Sequence, residues 1–60
     1  MNIYIVTFHF SSWSNLAFDI IVPAINEEIA ERQVRNIAFG YQLTYLGIGN
    51  VVIRSIKLSC

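Results

Sequence analysis

Residues 3–10, IYIVTFHF, form an unbroken run of strand formers in a chain of 60 residues. Successive side chains of a strand point to opposite faces, so Ile3 and Ile5 project one way and Tyr4, Val6, Phe8 and Phe10 the other. Such a strand is apolar on both faces and needs cover on both. A chain this short has material for little more than two packed layers, so it can cover only one. The other face is expected to be covered by a second chain or by a target.

Size sharpens the demand. A domain of this length buries only about 60% of the surface its unfolded form exposes, and burial and chain entropy nearly cancel. Cys60 is the one cysteine and His9 the one histidine, so the sequence assembles neither an intramolecular disulfide nor a zinc set, and no cofactor is expected. A second chain is the remaining staple. Composition agrees: 55% of residues are apolar and 13% charged, against about 45–50% and 25% for ordinary domains. A homodimer is the expected state of this single domain, residues 1–60.

The formal charge is zero, with four basic and four acidic residues. Phosphate-backbone binding needs clustered Lys and Arg, whereas Arg32 and Arg35 sit among Glu27, Glu28 and Glu31. Nucleic acid is disfavoured as a partner. The stretch LAFDIIVPAI is broken by Asp19 and has about half the length of a membrane span. The N-terminus lacks the basic region of a signal peptide, so a cytoplasmic location is expected.

Along the chain, residues 2–10 read as the first strand, and SSWSN supplies turn and cap residues. From Asn15 to Phe39 the chain reads as helical, and Ala30, Val34, Ile37 and Ala38 fall on one stripe. Glu28–Arg32 and Glu31–Arg35 are i,i+4 pairs in the favourable orientation. Pro23 lacks an amide and the apolar stripe shifts there, which predicts a kink or restart, with the main helix over about 23–39. Gly40 suits a helix stop.

In the remainder, GYQLTYLGIGNVVIRSIKL, the alternation of Tyr41, Leu43 and Tyr45 and the turn residues Gly47, Gly49 and Asn50 predict a hairpin. The competing reading continues the helix, because Tyr41 and Tyr45 extend the stripe of Val34 and Ile37. Gly40 and the β-rich composition favour the strand. Parity breaks at Arg54–Ser55, which predicts a bulge or a strand apolar on both faces. The expected fold is α+β, a β-α-β-β chain with one kinked crossover helix on one face of a three-stranded sheet of order 1-3-2. Residues 51–58 are then central and the first strand is an edge. An apolar edge without proline or lysine recruits another strand, so the sheet is expected to continue across the homodimer through Ile3, Ile5, Thr7 and Phe8.

No constellation for chemistry emerges. His9 reads as a strand residue, Ser11, Ser12 and Ser14 as turn and cap residues, and the three glutamates as a solvated helix surface. GIGN lacks the spacing of a phosphate loop. No catalytic, cofactor or metal residue is assigned, and an enzyme is not expected. Trp13, Tyr41 and Tyr45 are the candidate partner contacts, since Trp and Tyr are enriched in interaction hot spots. For Trp13, a core or dimer contact is the favoured reading over a target contact.

IYIVTFHF, the arginine-bearing helix and the GYQLTYLGIGNVVIRSIKL segment together resemble short proteins encoded by bacterial viruses that block host anti-phage defence, including small homodimeric inhibitors of the Hachiman system. The likeness is one of size and pattern over the whole chain and carries over no functional residue. It implies a non-catalytic inhibitor that binds a host protein. The alternative is a small structural or regulatory dimer that binds nucleic acid or a larger complex through its sheet.

Overall fold

The computed structural model describes residues 1–59; Cys60 lies outside the described residues. Strand β1 spans Asn2–Phe10, β2 Ala17–Ala24 and β3 Val51–Leu58, and the helix α1 spans Glu27–Thr44 between β2 and β3. The class is α+β, as expected, with one helix on one face of a three-stranded sheet. The order is β2-β1-β3, with both pairings antiparallel. The expected order 1-3-2 is therefore corrected: β1 is central, and 51–58 is an edge.

The difference arises at residues 17–24, which form a strand and not the start of a helix. Phe18, Ile20, Val22 and Ala24 alternate inward, and each lies on the same face as its β1 neighbour: Phe18 opposite Phe8, Ile20 opposite Val6, Val22 opposite Tyr4. Three consecutive β-branched residues, Ile20–Val22, favour this extended state. Pro23 is compatible with it because β2 is an edge, where a missing amide costs no ladder bond. Pro23 kinks no helix, since α1 begins after it. The N-terminus of α1 is set by Asn26, whose extended backbone and side-chain oxygen, accepting from the Ile29 amide at 2.9 Å, make it the cap. Glu27 and Glu28 follow in the first turn, where carboxylates suit the helix dipole.

The expected strand over 41–46 is also corrected. The helix passes through Gly40 and ends at Thr44, with the Tyr45 amide donating to the Tyr41 carbonyl. Gly47 and Gly49, at φ +89° and +85°, turn the chain from helix into β3 and not between two strands of a hairpin. The crossover through the helix joins β2 to β3. These two strands run parallel to each other, and β1 fills the gap between them. The parity break in β3 is a bulge: Thr7 pairs with Ser55 and Phe8 with Ile53, leaving Arg54 as the extra residue.

The core lies between sheet and helix. Tyr4, Val6, Phe8 and Phe10 of β1 are buried with Val22 and Ala24 of β2 against Ala30, Val34 and Ala38 of α1. The alanines at i and i+8 around Val34 let the helix axis lie close to the sheet. Glu28–Arg32 (3.8 Å) and Glu31–Arg35 (2.9 Å) pair on the solvated side of the helix, as their spacing predicts. Ile48 plugs the open end of the core. No helix of the described residues is long and apolar enough to cross a membrane.

Candidate functional site

Because the small residues of α1 draw its N-terminal two-thirds onto the sheet, the larger side chains of Ile37 and Tyr41 on the helix and of Tyr45 just past its end leave a cleft against β1 and β2. Its volume is about 330 Å³. Its floor is Phe8 and Phe10 of β1 and Phe18 and Ile20 of β2, and its mouth is closed on one side by Trp13 from the 3-10 turn Ser11–Trp13. Asp19 borders it through the β2 chain, but its carboxylate turns to the opposite face of the sheet, where Oδ1 accepts from the Thr7 hydroxyl at 2.7 Å.

The rings brace one another. Phe8 and Phe18, direct cross-strand neighbours, stack at 5.6 Å, and Phe10 meets Phe8, Phe18 and Tyr41 edge-on at 5.7–6.4 Å. Trp13 stands edge-on to Phe10 and tilted against Tyr45, both at 6.2 Å. Such geometries add about 0.5–1.5 kcal/mol per pair beyond burial. The cleft is thus a preformed apolar wall with amphipathic rims. Trp13, Tyr41 and Tyr45, singled out from sequence as partner contacts, converge here from two distant segments. Each remains partly exposed, Trp13 at 39%. Leu43 and Leu46, near the end of α1, are exposed and do not line the cleft.

The other sequence-designated residues divide. Ile3, Ile5 and Thr7 lie on the sheet face opposite the helix. Phe8 lies beneath the helix with 4% exposure and is closed to any second chain. Because β1 is paired on both sides, the free edge expected of it is not present, and the edges of the sheet are β2 and β3. The face opposite the helix is the second apolar face of the opening run. It carries Ile3 and Ile5 with Ile21 and Pro23 of β2 and Val52 of β3, as the pairings Ile3–Pro23, Ile5–Ile21 and His9–Val52 require. The signal was available in the opening run, whose two isoleucines point away from the other apolar residues.

His9 shares this bare face. Its Nδ1 is buried without a hydrogen-bond partner. The described residues bring no three His, Cys, Asp or Glu side chains together in a metal-binding group. The rings of β1 suited to stacking on bases, Tyr4, Phe8 and Phe10, face the helix and not solvent. No family model, curated protein or solved structure matches this chain, so its geometry stands by itself.

Proposed function

We propose that this chain is a non-catalytic interaction module, self-associating in the cytoplasm, which inhibits a larger protein by occupying its surface. The observation that carries this reading is the aromatic cleft rimmed by Trp13, Tyr41 and Tyr45. The side chains that converge on it bind by burying apolar surface, and Trp and Tyr dominate the energetics of such contacts. Its volume, about 330 Å³, is at the small end of ligand pockets and fits an apolar side chain presented by a partner. The pattern shared with small phage-encoded inhibitors makes a bacterial anti-phage defence protein the first partner to test. The nucleic-acid alternative draws less support, because the β1 rings are covered by α1.

Trp13 is the only tryptophan, so it reports on its own site. Titration with purified defence proteins is expected to shift its emission to shorter wavelength with one of them. Tyr45→Ala is expected to weaken that complex by about 2 kcal/mol, roughly 30-fold. Binding with unchanged affinity by Tyr45→Ala and Trp13→Ala variants would remove the cleft from the account.

A further inference from the structure

The molecule is a slab. Its Cα extents are 34 × 20 × 13 Å, and the shortest is what one sheet and one helix layer fill, since packed layers lie about 10 Å apart. One broad side of the slab is the bare sheet face. Its middle row is Lys57–Ile5–Ile21 and the next is Ser55–Thr7–Asp19, read across β3, β1 and β2. Ile21 is 68% exposed at the centre of its strand. The edges of this face differ in charge: β2 carries Asp19 and no base, whereas β3 carries Arg54 and Lys57 and no acid.

We infer that this face is covered by the same face of a second copy, related by a two-fold axis running parallel to β1. The inference deepens the self-association proposed above and rests on it, but it replaces an edge-to-edge sheet with a face-to-face sandwich. A two-fold axis lying in the plane of the face stacks it on itself, and its two limiting directions are across the strands and along them. An axis across the strands sets β2 on β2 and β3 on β3, placing like charges together. An axis along β1 sets β2 of each copy on β3 of the other. Asp19 then lies one row, about 7 Å along the strand, from the partner's Lys57, within reach of a flexible lysine. This happens twice, by symmetry.

The same axis puts Ile21 over the stem of the partner's Lys57 and Ile5 against its own copy at the centre. Aligned packing of two sheets is a common mode, and the result is four layers, helix-sheet-sheet-helix. A face of 34 × 20 Å is on the scale of the roughly 800 Å² per partner found in standard interfaces. The aromatic cleft opens on the helix side of the sheet and stays free in both copies.

Sedimentation equilibrium of the full chain, with far-ultraviolet circular dichroism at each concentration, tests this. The wild type is expected at twice 6.8 kDa. Ile21→Lys replaces an exposed side chain and sets a charge over the partner's Lys57, so it is expected to weaken the dimer by tenfold or more. Lys57→Glu is expected to weaken it about tenfold by facing Asp19. The double variant Asp19→Lys/Lys57→Glu is expected to recover most of that loss. A dimer indifferent to both single substitutions overturns this face while leaving self-association standing. So does failure of the double variant to recover association. A folded wild type at 6.8 kDa throughout the micromolar range overturns both.

Discussion

Gly49 sits at φ +85°, and a Cβ built there would collide with the Ser11 hydroxyl oxygen. The collision point is a zipper between distant segments. The amides of Ser11 and Ser12 donate to the carbonyls of Asn50 and Ile48 at 2.8 and 3.0 Å, and Gln42 Nε2 donates to the Gly49 carbonyl at 2.8 Å. Both the backbone angle and the close approach demand glycine. Gly49→Ala is expected to cost about 1–3 kcal/mol in urea unfolding at fixed protein concentration. Gly40 is the opposite case. It lies inside α1, at ordinary helical angles, with open space where its side chain would be. Gly40→Ala is expected to stabilise the protein by about 1 kcal/mol in the same assay, because alanine loses less backbone freedom on forming a helix. Reading Gly40 as a helix stop weighed residue type over position: the hydrophobic stripe through Tyr41 continues unbroken across it.

Among the elements, α1 depends on close approach. Ala30, Val34 and Ala38 are wholly buried against the sheet, and Gln33 Nε2 donates to the Pro23 carbonyl at 3.0 Å, tying the helix to β2. Ala38→Leu is expected to destabilise by about 1–3 kcal/mol through overpacking, measured as a lower urea midpoint. The helical stripe over 30–38, the first strand and the third strand were legible from their periods, and the bulge at Arg54 was one of the two readings that its break of parity allowed. β2 was hidden for a physical reason. Its outward residue Ile21 is as apolar as its inward neighbours, so the bare face erases the alternation that marks a strand. With β2 read as helix, β1 fell to the edge and the bulged strand to the centre. Trp13, Tyr41 and Tyr45 could be named as contacts from residue type, but their convergence on one cleft follows from continuing the helix and could not be seen from a hairpin.

At the scale of the whole molecule, the two faces of IYIVTFHF have separate fates. The ring-bearing face builds the core and the floor of the cleft beneath α1, and the isoleucine face is left uncovered by the described residues. On this account the bare face makes the second copy part of the fold, and stability is bound to protein concentration. Thermal unfolding followed by circular dichroism across a hundredfold range of concentration tests that most directly. The account predicts a midpoint that rises by about 10 °C over the range, because dissociation accompanies unfolding. A sharp, cooperative midpoint that stays constant with concentration would contradict it.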